Sequence, residues 1–232
     1  MRAWNLLSPA RDVFGQMALD EALAASKPER FCLRFYRWQG AGLTFGYAQR
    51  VAAVEPLLPR EAAGAWTRRP TGGGVVEHLS DLTFSCVFPA EGALKPQGIY
   101  ERLHAAILDG LRQTGLAVQL LAEKREPAPP RVRERASQCF AEPVALDIMS
   151  EDGGNKILGG AIRRYGGTVL YQGSLQLPGA REHAPIFEQA IRNGLSLHWN
   201  IAWQSVDIPA DVLAAAEALT ETYRSAAWIR RR

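Results

Sequence analysis

The stretch Arg68–Ser85, RRPTGGGVVEHLSDLTFS, joins two β-rich runs through two arginines, a proline turn and three consecutive glycines. Without a Cβ, Gly72, Gly73 and Gly74 can take φ > 0 and let a ligand lie against main-chain N–H groups, with Arg68 and Arg69 as fixed positive charge beside them. The same residues also suit a plain glycine hairpin with solvated arginines, so the neighbouring segments decide. Upstream, FCLRFYRW alternates, with Phe31, Leu33 and Phe35 on one face, which predicts a half-buried strand. LTFGY, after Gly40-Ala41-Gly42, predicts a second, and LTFSCVF continues the quoted stretch as a third.

Helices alternate with these strands in blocks. Ser8-Pro9 and Asp12 open one across VFGQMALDEALAAS, with Asp20 and Glu21 expected in solvent rather than facing a site. Another is predicted from about Gln97 to Gly115, where Ile99, Leu103, Ala106, Ile107 and Leu111 fall at helical spacing and Gly115 is the stop. AVQLLAE reads as a strand, and VALDIM, KILGGAIRR and TVLYQGSLQL as a three-stranded meander turning at SEDGGN and Tyr165-Gly166-Gly167. Two C-terminal helices follow, APIFEQAIRNGLSL with Ile186, Phe187, Ala190 and Ile191 inward, and PADVLAAAEALTETYRSAAW; the terminal arginines are expected to be solvated. The pattern is α+β.

The chain has 232 residues, 47% hydrophobic and 22% charged, enough for one large domain with a real core, residues 1 to 232. A formal charge of +3 is too weak to argue for nucleic acid, yet suits an acidic protein partner. MRAWNLLSPARDVF carries charge early, and no run of eighteen apolar residues occurs, so neither a signal peptide nor a membrane span is expected; the cytoplasm is the expected compartment. Three cysteines without a C-x-x-C pair indicate neither a disulfide framework nor a zinc site, and no metal site is expected.

Cys32 and Cys86 lie inside apolar strands, where cysteine behaves as a small hydrophobe. Cys139 differs. It follows KREPAPPRVRERAS, residues 124–137, a basic proline-rich segment that reads as a surface loop or as a lid over a site. Exposure beside positive charge is what a nucleophilic thiolate requires, although an inert half-buried thiol would fit the same residues. Lys156 opens the middle strand of the meander, ahead of Gly159, Gly160 and Ala161, small residues that admit a flat substrate or another backbone. Arg163 and Arg164 read as edge charges.

GQMALDEAL, LRFYRWQGAGLTFGYAQ, RRPTGGGVVEH with LTFS, NKILGGAIRR and LYQGSLQL occur in this order across nearly the whole chain. Together they resemble the lipoate/biotin attachment superfamily, and CFAEP and LTETYRSAAW are most similar to its cysteine-dependent octanoyltransferases. The resemblance implies a mixed, largely antiparallel sheet flanked by helices, as in biotin ligase catalytic domains. It implies Cys139 as the acyl-accepting nucleophile, Lys156 as the lysine that polarises the carbonyl, and Arg69, Gly72, Gly73, Gly74 and His78 as the acyl-binding loop. The implied partners are octanoyl-acyl carrier protein and a lipoyl-domain acceptor, with no cofactor. The related ligases would instead need ATP and Mg to form an acyl-adenylate, and a non-catalytic acyl-binding protein is a third reading. Two positions depart from the family pattern: Leu79 stands where Asp is frequent and Gln172 where His is common, so an acidic helper and a second imidazole are expected to be missing.

Overall fold

The computed structural model describes residues 1–58, 65–90, 95–122 and 139–231, so the basic segment 124–137 lies outside the described residues. In chain order, β1 (Arg2–Leu7), β2 (Ala10–Arg11), α1 (Val13–Ala25), β3 (Cys32–Phe35), β4 (Arg37–Trp38), β5 (Gly42–Phe45) and the one-turn α2 (Val51–Val54) precede the glycine loop. That loop connects β6 (Trp66–Arg68) to β7 (Val76–His78), and β8 (Leu82–Pro89) follows. Next come α3 (Pro96–Arg112), β9 (Val118–Leu120), β10 (Ile148–Ser150), β11 (Lys156–Tyr165) and β12 (Thr168–Leu175). The described chain ends with α4 (Ala184–Trp199), β13 (Ala202–Asp207), α5 (Ala210–Arg224) and α6 (Ala226–Ile229).

Among the described residues, an eight-stranded sheet runs in the order β13-β1-β3-β8-β12-β11-β10-β9. The pairs of β1 with β13 and β3 are parallel and the others antiparallel, so the sheet is mixed and largely antiparallel. A small sheet, β6-β5-β7, carries the glycine loop. Both faces of the large sheet are covered. Leu82, Phe84, Cys86 and Phe88 of β8 join Leu103, Ile107, Ile191 and Leu195 of α3 and α4 in one core. On the opposite face Cys32, Val87 and Leu170 pack with Leu19 and Leu23 of α1 and Val212 and Ala216 of α5.

Several expectations hold with a local cause. Asp12 caps α1, its carboxylate accepting from Gly15 N–H at 2.9 Å. α3 ends at Arg112, and Gly115 turns the chain at φ +86°. The meander β10-β11-β12 forms, with a shorter first strand than read, and Cys32 and Cys86 are both buried. Other expectations fail because the sheet is covered twice. FCLRFYRW is buried on both faces through Tyr36 and breaks there, so Arg34 is a core residue rather than a flanking one. Asp20 is fully buried, paired with Arg34, not solvated. Ile186 is 55% exposed, leaving Ala190, Ile191 and Leu195 to face the core. β1 and β13, unrecognised in the sequence, pair with each other in parallel at one edge. VALDIM contributes only from Ile148, because Leu146 takes φ +73° and turns Asp147 inward. Arg163, where β11 pairs only with β12 among the described residues, donates to the Pro70 carbonyl at 3.0 Å and stacks on Tyr47 and Tyr165.

Arg68 also departs from expectation, whereas Arg230 and Arg231 at the chain end are exposed as expected. Arg68 is fully buried, donating to the carbonyls of Tyr47 at 2.6 Å, Gln49 at 2.7 Å and Ile229 at 2.9 Å, while Trp228 Nε1 donates to the Arg68 carbonyl at 2.7 Å. Arg230 pairs with Glu55 at 2.6 Å, and Arg231 stacks on Tyr47 and Trp228.

Where α3 crosses α4 the backbones touch. A Cβ on Gly110 would strike the Ala190 carbonyl, and one on Gly194 the Ala106 carbonyl. Neither neighbour is a movable side chain, so the helices would have to separate and lose packing against the sheet. Gly194→Ala is therefore expected to cost about 3 kcal/mol, read as a lower urea midpoint.

Candidate active site

β11 begins beside the loop that carries Cys139, and that register brings the two sequence-predicted catalytic residues together. Lys156 Nζ lies 3.5 Å from Cys139 Sγ and donates to the Cys139 carbonyl at 2.9 Å. The same ammonium pairs with Asp147 Oδ2 at 2.8 Å and sits 5.0 Å from the Phe140 ring centroid. The loop is pinned by Cys139 N–H donating to the Val75 carbonyl at 3.1 Å, just beyond the glycines.

Asp147 was not singled out in the sequence. It is fully buried, and besides Lys156 it accepts from Tyr100 Oη at 2.7 Å and from Val144 N–H at 2.7 Å. Three donors on one carboxylate fix the orientation of the ammonium opposite the thiol. Tyr100 in turn accepts from Gly160 N–H at 3.2 Å, so the glycine strand, the carboxylate and the lysine form one connected unit. The hint available in the sequence was position: VALDIM read as a regular strand would give this acid no special place.

Cys139 opens onto a small cavity of about 30 Å³ whose lining includes Arg69, His78, Gly159, Gly160 and Ala161. Gly72, Gly73 and Gly74 do not line it. The glycine loop holds the wall from outside: the Gly72 carbonyl accepts from Arg69 Nε at 3.0 Å and Nη2 at 2.6 Å. Gly73, at φ +91°, lies so close to Gly46 that a Cβ on Gly46 would strike the Gly73 carbonyl. Of the two arginines, Arg69 faces the cavity and Arg68 belongs to the framework. Burial holds the Arg69 guanidinium below its ordinary value, opposed by Cys139 and Tyr36 nearby.

One wall is a relay of polar groups. Arg69 Nη1 donates to Thr44 Oγ1 at 3.2 Å, Thr44 faces His78 Nε2 at 2.9 Å, and His78 Nδ1 faces Asp81 Oδ2 at 2.9 Å. Asp81 also accepts from Ser174 Oγ at 2.7 Å and pairs with Arg181 at 3.2 Å. Burial would push the Asp81 carboxyl up, but His78 and the hydroxyls of Thr83 and Ser174 outweigh it and hold it below the usual range. The expected loss of an acidic helper is thus corrected. Leu79 is exposed, and Asp81, two residues later, supplies the carboxylate to the imidazole.

Gln172 is the other departure. Its Oε1 accepts from Thr71 Oγ1 at 2.6 Å, and its Nε2 donates to Asp20 Oδ2 at 2.7 Å and to Tyr36 Oη at 3.1 Å. Asp20 also accepts from Arg34 Nε at 3.0 Å and Ser85 Oγ at 2.7 Å. Burial, and then the Asp20 charge, push the Tyr36 phenol well up, so it stays a neutral donor to that carboxylate.

Behind the sheet His104 bonds the Leu146 carbonyl at 2.7 Å through Nδ1 and Tyr171 Oη at 2.9 Å through Nε2. Burial pushes its pKa down from 6.5 to about 3, the Leu146 bond opposing and Lys156 adding to the fall. A folded-state value below the unfolded one means that the unfolded chain binds the extra proton between these pH values, so stability falls as pH falls from 6.5 toward 3. Between pH 6.5 and 4.5 the loss from this group is expected to be about 2 to 3 kcal/mol at about 1.4 kcal/mol per unit. Urea titrations of the wild type against His104→Asn measure it as a steeper pH slope in the wild type.

Among the described residues no helix is long and apolar enough to cross a membrane. The family model for the lipoyl protein ligase A/B catalytic domain matches residues 12–187. The chain is 28% identical to octanoyltransferase LipM of Staphylococcus aureus, with 99% of each chain covered. It is 32% identical to octanoyltransferase LipM of Halalkalibacterium halodurans over 76% of this chain and 67% of that one. In fold it is similar to lipoate-protein ligase A solved with ATP, with a TM-score of 0.77, 23% identity and 99% of both chains covered. The bi-partite lipoate protein ligase of Thermoplasma acidophilum gives a TM-score of 0.73 at 21% identity, covering 99% of this chain and 96% of that one. By the extent of the family match, the chain belongs to the lipoyl protein ligase A/B catalytic domain family.

Proposed function

We propose that this protein is an octanoyltransferase that moves an octanoyl group from octanoyl-acyl carrier protein, through a thioester on Cys139, to a lysine of a lipoyl-accepting protein. The observation that carries the reading is the Cys139 thiol at 3.5 Å from an ammonium that a buried carboxylate holds in place. Similarity to two octanoyltransferases supports it from the side of sequence.

The Cys139 thiolate attacks the carrier thioester, and the oxyanion that forms is stabilised by Lys156, an effect of about 2.7 to 4 kcal/mol for one well-placed donor. The pantetheine thiolate leaves with a proton from Lys156. The acceptor amine then attacks the Cys139 thioester, gives its proton back to Lys156, and expels the Cys139 thiolate. Bonds and protons balance without a nucleotide, because the thioester is already activated. The Gly160 N–H is already bonded to Tyr100.

The test is incubation of the pure protein with octanoyl-carrier protein in the absence of ATP, read by intact mass. A hydroxylamine-labile octanoyl adduct on Cys139 that decays on addition of a lipoyl domain is the expected result. Transfer that demands ATP and leaves Cys139 unmodified would replace this reading with a ligase.

A further inference from the structure

The cavity has a direction. Along β11 and β12 the pairs Gly159 with Ser174, Gly160 with Gly173, and Ala161 with Gln172 succeed one another. Gly159 lies against the end of the Lys156 side chain, at the thiol end, and Gln172 lies two residues farther in, about 6.6 to 6.8 Å along the strand. Met17 and Tyr36 border the cavity beside Gln172.

At that point the cavity is bordered by a carboxamide that cannot swing away freely. Gln172 is 7% exposed, and both ends of its amide are used, the oxygen by Thr71 and the nitrogen by Asp20 and Tyr36. An apolar chain that pushed past it would strip a buried carboxylate of one donor and leave the Thr71 hydroxyl without its acceptor, while returning no hydrogen bond. A shorter chain would leave apolar wall uncovered. The penalty therefore rises on both sides of one length, and on the long side it is polar, which discriminates more sharply than a missing methylene does.

We propose that Gln172, held by Thr71 and Asp20 and backed by Met17, is the stop that sets the acyl length the cavity accepts. This deepens the transferase reading and rests on it for the identity of the occupant. It also gives a role to glutamine at the position where the family commonly carries histidine.

The experiment compares octanoyl-, decanoyl- and dodecanoyl-pantetheine as acyl donors for wild type, Gln172→Ala and Met17→Ala, reading the Cys139 adduct by intact mass. Octanoate and dodecanoate binding by calorimetry runs in parallel, because binding needs no chemistry. Wild type is expected to favour octanoyl over dodecanoyl by about 10-fold or more, and each variant to cut that ratio to within about 3-fold. A wild type that takes both lengths equally, or variants that keep the wild-type ratio, would overturn the stop. If no thioester acylates Cys139, the transferase reading falls, and the binding series alone decides: a length preference lost in the variants upholds the stop, and a flat series removes it. Should Gln172→Ala not fold, Met17→Ala, which removes the 3.5 Å thioether contact to Gln172 Nε2 but keeps the bonds of Gln172 to Thr71, Asp20 and Tyr36, decides.

Discussion

Cys139→Ala is expected to lower ATP-independent octanoyl transfer by at least about 10⁴-fold, the scale on which removal of a covalent nucleophile acts. No other thiol can substitute. Cys32 is buried against α1 with its thiol pushed up to about 12, and the thiol of Cys86, in the core under α3 and α4, is also pushed well up by burial. The loss falls on chemistry rather than on folding, since Cys139 is only half-buried and its side chain fills no core position. The check is the initial rate of octanoylation of a lipoyl domain, with thermal unfolding as control. An unchanged rate would remove the thiol from the mechanism altogether.

Lys156→Met is expected to reduce kcat/KM by about 10² to 10³, with most of the change in kcat, because the ammonium acts on charge that develops only in the transition state. Methionine keeps the length of the side chain but leaves Asp147 buried with two donors instead of three, Tyr100 and Val144. Some loss of stability therefore accompanies the kinetic effect. Asp147→Asn separates the two: the ammonium remains, its tether weakens, and a smaller fall of about 10-fold is expected. Steady-state kinetics on all three proteins check the order. An Asp147→Asn defect equal to that of Lys156→Met would mean that the carboxylate acts directly.

The arrangement of helices and strands was legible wherever periodicity was unambiguous. α1, α3 and the meander follow from their apolar spacing, and the antiparallel character of the sheet was implied by the family resemblance. What the sequence hid was depth. Alternation in FCLRFYRW says which residues share a face, but not that α1 covers the other face and turns Arg34 and Asp20 into a buried pair. In the site, the cysteine and lysine were visible as chemistry out of place in a loop and at a strand end. Asp147 was hidden because its function depends on the left-handed Leu146 just before it. Asp81 was hidden because the family pattern puts an acid at position 79, whereas the loop geometry brings the carboxylate two residues later to the imidazole. Spacing alone made Arg68 and Arg69 equivalent; the resemblance singled out Arg69, and the wrap of the last helical turn gives the physical reason why Arg68 is framework.

That wrap makes the far terminus a strut for the catalytic half. Arg68 is neutralised in part by oxygen atoms from the final turn, and Arg69, its chain neighbour, forms the cavity wall. Truncation after Ser225 would withdraw two of the carbonyls that solvate a sealed guanidinium, and β6 would loosen with it. An affinity tag fused to the tail shares that lever arm.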